Sequence, residues 1–128
     1  MILHGDGTKP IYIQIAEWLE TQILSESIKS DEKIYSQYQL ADMFTINPAT
    51  AAKGLNILAN DSILYKKRGL GMFVASNAKT LIVSKRKSQT LKQLVADLVQ
   101  EANRLDVGEE ELIEMIKAES NRNKGEPE

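Results

Sequence analysis

The stretch of sequence that decides the fold is Asn47-Pro48-Ala49-Thr50-Ala51-Ala52-Lys53. Asn47 is a favoured capping residue, because its side-chain oxygen accepts hydrogen bonds from the unpaired N–H groups of a first helical turn. Pro48 suits the first helical position, where its missing N–H costs nothing. Small residues follow, so this stretch predicts a helix, running to about residue 60, whose backbone can lie close against another surface.

A second short helix is predicted immediately upstream. Ser36-Gln37-Tyr38-Gln39 fits a capping box, in which the Ser36 hydroxyl accepts from the third residue's N–H and the Gln39 side chain accepts from the Ser36 N–H. Thr45-Ile46 then makes the turn. The spacing from Ser36 to Asn47 leaves room for a short helix and a tight turn. That is helix-turn-helix geometry, in which the second helix reads DNA.

The flanking segments complete a larger unit. Pro10 opens an amphipathic helical pattern, and residues 25–35 are interpreted as a connection. Residues 63–67 and 72–75 are strand candidates joined by Arg68-Gly69-Leu70-Gly71, where glycine supplies positive φ. The order predicts a mainly α fold with a small β-wing. We expect a flexible leader over residues 1–9 and a winged helix-turn-helix DNA-binding domain over residues 10–76.

After residue 77 a long apolar stripe at helical spacing begins, and Asp106-Val107-Gly108 separates it from a shorter amphipathic helix. Two helices of this size cannot enclose a core, so they must pack on the N-terminal domain or on a second copy. We interpret residues 77–120 as a short two-helix dimerisation segment and residues 121–128 as a disordered tail. The predicted interface residues are Leu91, Leu94, Val95, Leu98, Val99, Ala102, Leu105, Leu112 and Ile116.

Composition limits the function classes. The 128 residues include no cysteine, which excludes disulfides and cysteine catalysis and suits a reducing cytosol. The N-terminus lacks the features of a signal peptide, and no run of about 18 apolar residues exists. We therefore expect a cytoplasmic protein with no membrane partner. The net charge of −2 argues against nucleic acid, but Lys66, Lys67 and Arg68 are consecutive and concentrate positive charge on the wing.

The candidate DNA contacts fall into three groups. The start of the first helix of the motif is expected to contact phosphates, and the start of the second helix is expected to contact bases or phosphates. The basic hairpin would touch the flanking backbone. These candidates are Ser36, Gln37 and Tyr38, then Asn47, Ala49, Thr50 and Lys53, then Lys66, Lys67, Arg68 and Gly69.

Plainer interpretations stand beside these. Ser36 and Asn47 are also explained by capping alone, and the charge run by a solvated turn. A second basic stretch contains Lys79 and residues 85–87. Residues 85–87 lie on the linker and are explained as keeping the long helix soluble.

Two other function classes compete with DNA binding. An enzyme is not expected, because His4 is the only histidine and lies in the leader, and no metal or cofactor site is predicted. A winged-helix module that binds protein, with little DNA affinity, is favoured by the net acidity. The basic wing and the Asn-Pro-x-Thr helix start oppose that alternative.

The chain resembles the GntR family of bacterial transcription regulators, in its short YtrA-like branch. The similarity spans about residues 9–120 and rests on ordered motifs. These are Pro10-x-Tyr12-x-Gln14-Ile15, Ser36 with Leu40-Ala41, and residues 46–53, 68–74 and 105–113. The chain departs from the family pattern at several positions: Tyr35 replaces a usual proline, Tyr38 a frequent arginine, Glu26 and Asp31 frequent glycines, and Gly54 a usual alanine.

The resemblance implies a homodimer on an inverted-repeat operator of double-stranded DNA, with repression of transcription and control of a transporter operon. The tyrosine at position 38 implies an altered or weaker site preference. A small-molecule effector is left open, since longer relatives carry an effector domain, but the sequence shows no cluster of polar ligand-binding residues.

Overall fold

A computed structural model describes residues 9–125, so His4, most of the predicted leader and the end of the predicted tail lie outside the described residues. The chain divides into two compact units that meet in sequence between Lys85 and Arg86. The elements, in chain order, are α1 (Ile11–Leu24), α2 (Gln37–Phe44), α3 (Pro48–Asn60), β1 (Leu64–Lys67), β2 (Gly71–Val74), α4 (Ala78–Arg86), a π-helical turn (Lys87–Leu91), α5 (Lys92–Arg104) and α6 (Glu109–Asn123).

The ends of α2 and α3 form as the local sequence predicts. The Ser36 hydroxyl accepts from the Gln39 N–H at 3.1 Å, and the Gln39 side chain accepts from the Ser36 N–H at 2.8 Å. Thr45 ends α2 in a left-handed conformation with φ 55°. The Asn47 side chain then accepts from the Ala49 N–H at 2.8 Å, with proline at the start of α3. The predicted capping box and N-cap are therefore confirmed.

The core of the first unit lies among α1, α2, α3, the wing and α4. Its fully buried side chains include Ile15, Leu19, Leu40, Leu58, Ile63 and Ile82. Ala78 and Ile82 lie one helical turn apart on α4 and are both 0% exposed. Because these side chains bury α4 in the core, the first unit continues to Lys85, beyond the boundary predicted at residue 76. Residues 79, 85 and 86 of the second basic stretch belong to α4 and residue 87 begins the π-helical turn, so the segment predicted to be a linker is helical.

The wing has one more chain segment than the sequence indicated. β1 and β2 pair antiparallel, with Tyr65 opposite Phe73 and Lys67 opposite Gly71. On the other edge of β2, Lys33 forms an antiparallel bridge with Phe73. Hydrogen bonds from the residue 31 N–H to the residue 74 carbonyl (2.7 Å) and from the residue 34 N–H to the residue 72 carbonyl (2.9 Å) hold this segment. Part of the predicted connection over residues 25–35 is therefore an edge of the wing.

Two of the departures from the family pattern occupy left-handed backbone. Glu26 has φ 63° and Asp31 has φ 66°. A left-handed conformation costs an L-residue roughly 1–2 kcal/mol, a cost that glycine does not have. Glycines at these two positions would fit the left-handed backbone conformation, which this chain adopts with acidic residues.

Gly54 is required by the close approach of α3 to α1. A Cβ atom at this position would lie 2.9 Å from the Tyr12 carbonyl oxygen and 2.9 Å from Cγ2 of Ile15. Real Cβ atoms do not approach other atoms so closely, and the first of these contacts is with backbone. The alanine that is usual in the family would push the two helices apart here.

We expect Gly54→Ala to lower the free energy of unfolding by about 1–3 kcal/mol, the usual cost of overpacking a core. In an exposed helix the same substitution would raise it by about 1 kcal/mol. Urea unfolding followed by circular dichroism measures the difference. Asn56→Ala, at an exposed position of the same helix, is the matched control and should be neutral or stabilising. Equal stability of Gly54→Ala and the native chain would contradict this account of the helix contact.

The second unit consists of the π-helical turn, α5 and α6. Most of the predicted interface residues are apolar and exposed in the single chain, between 39% and 64%. These are Leu91, Leu94, Val95, Leu98, Val99, Leu105 and Ile116. Ala102 is buried, because the chain turns back over it and the Val107 N–H donates to its carbonyl at 2.9 Å.

α6 continues to Asn123, so the residues just after 120 are helical and not the start of a disordered tail. An ion pair between Arg122 and Glu119, one turn apart, supports this last part of the helix. From residue 9 to residue 125, no helix is both long enough and apolar enough to cross a membrane.

Candidate nucleic-acid interface

A groove of about 400 Å³ separates the start of α2 from the wing. Five of the predicted contact residues line it: Ser36, Gln37, Tyr38, Lys66 and Gly69. Residues 36–38 come from the capped turn of α2, whereas residues 66 and 69 come from the hairpin. The fold therefore brings together two of the three groups that the sequence singled out. Tyr38 is 69% exposed, so its hydroxyl is open to a partner.

The hairpin closes with the Leu70 N–H donating to the Lys67 carbonyl at 2.9 Å. Gly69 and Gly71 have φ 78° and 107°, values that L side chains rarely adopt. Arg68 is exposed in this turn. The predicted turn chemistry is confirmed, and it leaves Arg68, the last residue of the basic run, exposed at the tip of the wing.

The basic run does not present all its charges in one direction. Because side chains alternate along a strand, Lys66 lies on the face of the wing that carries buried Leu64 and its own partner Met72. We call this the inner face, and it borders the groove. Lys67 lies on the opposite or outer face, with its Nζ 4.4 Å from the ring centroid of Phe73. The two lysines are thus separated by the sheet.

The predicted contacts on α3 do not line the groove. Ala49 and Lys53 are exposed, and Thr50 is half-buried beside them. The Asn47 side chain is engaged in capping, which supports the plainer interpretation of that residue. The Lys53 Nζ lies 4.6 Å from the ring centroid of Tyr12 on α1. This contact limits the motion of Lys53 and keeps its charge at the exposed side of α3.

Two residues at this site were missed from the sequence. Lys33 and Tyr35 also line the groove, from the edge segment of the wing. Asp31 in this segment accepts a hydrogen bond from the Tyr65 hydroxyl at 3.1 Å. Desolvation, reinforced by the hydrogen bond to Asp31 and its charge, raises the pKa of Tyr65, so the hydroxyl stays protonated as a donor. The sequence signal for this segment was weak, because its pairing partner lies far along the chain.

Lys85, in the second basic stretch, forms two ion pairs. Its Nζ lies 2.8 Å from Oε2 of Glu20 and 2.7 Å from Oδ2 of Asp61. Burial acts to lower the pKa of Lys85, but hydrogen bonds to Asp61 and Glu20 and the charges of both acids outweigh it and raise the pKa. Glu20 is 2% exposed, so this network fixes α4 on α1 and α3. Lys79 is 3.7 Å from Glu26, on the surface.

No family model matches the chain. Individual proteins do. The HTH-type transcriptional repressor YtrA of Bacillus subtilis is 33% identical over 111 residues, which cover 87% of this chain and 85% of that repressor. A putative transcriptional regulator of the GntR family from Bacteroides thetaiotaomicron superposes with a TM-score of 0.74 at 32% identity, covering 89% of this chain and 99% of the other.

The first unit also has a counterpart that was solved on DNA. The DNA-binding domain of AraR in complex with operator ORX1 superposes with a TM-score of 0.53 at 28% identity, covering 58% of this chain and 93% of that domain. The YtrA similarity extends over most of both chains, and the winged helix-turn-helix is shared with these structures. The chain therefore belongs to the GntR family of DNA-binding transcriptional regulators, in its YtrA-like branch.

Proposed function

We propose that this regulator is a repressor that binds an inverted-repeat operator as a homodimer. The observation that carries the proposal is the groove in which the capped start of α2 faces the inner face of the wing. There N–H groups, hydroxyls and the Lys66 ammonium surround a space open to a phosphate backbone. AraR, whose DNA-binding domain has the same fold, was solved on operator DNA, and this supports the assignment.

The arrangement supports a role for each group of residues. α3 would enter the major groove with Ala49 and Thr50 at base edges, the first against a thymine methyl and the second as donor or acceptor. Lys53 would contact phosphate. Ser36, Gln37 and Tyr38 would hold the backbone that α2 crosses, while the wing would follow the flanking backbone or minor groove.

The homodimer is supported by the apolar surface of the second unit. Between α5 and α6, a cavity of about 500 Å³ is lined by Leu98, Leu112, Met115 and Ile116, with polar residues only toward its α6 end. Monomeric proteins rarely expose contiguous apolar patches of this kind, and a second copy would cover it. Dimers place two reading helices about one turn of DNA apart, which is why the operator is expected to be an inverted repeat.

The YtrA-like resemblance also supports control of a transporter operon by this regulator.

A winged-helix module that binds protein is the competing function. The two differ in how binding depends on salt, because neutralised phosphates release counterions and protein partners do not have that steep dependence.

The test measures affinity for the DNA upstream of the protein's own coding sequence across a salt series. The native chain is compared with Lys66→Gln/Lys67→Gln/Arg68→Gln. A dimer that loses all of these contacts should show a slope of log K against log salt that is less negative by up to about 5. Protection by the native chain should cover a two-fold-symmetric site.

Lys79→Gln is the control, because it also removes a charge but at a lysine paired with Glu26. It should leave both the slope and the protected site nearly unchanged. Binding that is weak, indifferent to salt and the same in all variants would overturn the operator proposal in favour of a protein partner.

A further inference from the structure

The outer face of the wing carries a second cation that the sequence did not associate with it. Lys33 pairs with Phe73 across one edge of β2, and Tyr65 pairs with Phe73 across the other. Paired residues project their side chains to the same face of a sheet. Lys33 therefore shares the outer face with Lys67, on either side of β2.

The Lys33 side chain lies beside the start of β2, at the residue that pairs with Lys67. Lys67 is the register partner of Gly71, and a Cβ at Gly71 would lie 3.0 Å from Cε and 3.7 Å from Nζ of Lys33. The missing side chain at Gly71 thus leaves the space in which the Lys33 stem lies. Gly71 also borders the groove, so the Lys33 ammonium stands where the groove and the outer face meet.

Aromatic rings hold Lys67, the other cation of this face, in place. The rings of Tyr65 and Phe73 are stacked with centroids 5.9 Å apart, and the Lys67 Nζ lies over both, at 5.8 and 4.4 Å. Such contacts restrict a lysine without neutralising it. Within residues 9–125, neither Lys33 nor Lys67 has an acidic partner within 4.0 Å.

The Asp31 carboxylate lies on the same edge segment, but it accepts from the Tyr65 hydroxyl and forms no ion pair with either lysine. Two ammonium groups without an ion pair repel each other, and a bound anion would relieve that repulsion. We infer that Lys33 and Lys67 together hold a backbone phosphate of the DNA that flanks the operator half-site. This inference rests on the proposed function and adds Lys33 as a contact outside the helix-turn-helix. The contact would not depend on DNA sequence, because a phosphate group is the same at every base.

The experiment compares the native chain with Lys33→Gln on two duplexes of equal length, the protein's own upstream DNA and a random sequence. At about 0.1 M salt the affinity for both should fall roughly tenfold to a hundredfold. The slope of log K against log salt should become less negative by about 2 for a dimer. Phosphate ethylation interference on the upstream DNA should show one weaker signal flanking each half-site.

Three controls separate the outcomes. Lys79→Gln removes the same charge and should keep the native slope. Lys33→Arg keeps the charge and should restore both the slope and the interference signal. Circular dichroism should show native folding of Lys33→Gln, since the residue is exposed. If the native chain binds with a steep salt slope and Lys33→Gln matches it in slope and interference, the inference is overturned while the proposed function stands. If the native chain shows no salt-dependent binding, the proposed function fails first.

Discussion

Lys85→Met is expected to lower the free energy of unfolding of the first unit by about 3 kcal/mol, the low end of the usual cost of breaking a buried ion pair. The substitution removes the ammonium that lies 2.8 Å from the Glu20 carboxylate, which is only 2% exposed, while Glu20 keeps its other interactions. Methionine keeps the apolar stem of the side chain, so the loss is mainly electrostatic. We choose the low end because the Lys85 side chain is 25% exposed and water screens part of the interaction.

Urea unfolding measures this effect, and the single tryptophan reports it. Trp18 packs against Tyr35 at 6.0 Å and Phe44 at 5.1 Å between ring centroids, so its fluorescence follows the first unit. Lys79→Met is the matched control, because it breaks an exposed pair worth at most about 1 kcal/mol. Glu20→Met combined with Lys85→Met should regain part of the lost stability. A loss below about 1 kcal/mol in Lys85→Met would contradict a structural role for the network.

The Lys85→Met substitution should also change how the free energy of unfolding depends on pH. Since the folded state raises the pKa of Lys85, this group's contribution to stability is complete below the unfolded value of 10.5 and is lost as pH rises through the higher folded value. The raised pKa of Tyr65 acts in the same direction in the same range. In a Tyr65→Phe background, the alkaline loss of stability should therefore be smaller when Lys85 is replaced by methionine.

Leu98→Glu is expected to convert the dimer to a monomer and to reduce affinity for operator DNA by about a hundredfold or more, on the basis of the proposed homodimer. Leu98 is 39% exposed and lines the cavity between α5 and α6. In a dimer that covers this surface, a carboxylate would be buried without a partner. A monomer then binds each half-site separately and loses the gain from tethering two DNA-binding units.

Sedimentation velocity measures the association state, and the DNA titration uses the upstream fragment. Val83→Glu is the control, because Val83 is similarly exposed at 41% but lies on α4 in the first unit. It should leave both the dimer and the affinity intact. If the Leu98→Glu protein still sediments as a dimer, the apolar face of the second unit is not the dimer interface.

Local chemistry in the sequence was sufficient to predict the helix-turn-helix. The ends of α2 and α3 depend on hydrogen bonds between residues two or three positions apart, such as those made by Ser36 and Asn47. The hairpin depends on glycines within its own turn. Signals of this range are visible in the residues themselves, and the fold class, the motif order and five residues of the groove followed from them.

The end of the first unit and several residues of the candidate interface depended on contacts between distant parts of the chain. The sequence alone did not show that Lys85 contacts Glu20, because a lysine in a sequence can equally be exposed on a linker or paired with a buried acid. Nor did it show that Lys33 lies on the wing, since that depends on pairing with Phe73. The sequence showed Gly54 only as a departure from the family's usual alanine, and the structure explains it by the contact with α1. Capping and turn formation are decided within a few residues, whereas burial, pairing and the direction of a charge are decided by packing.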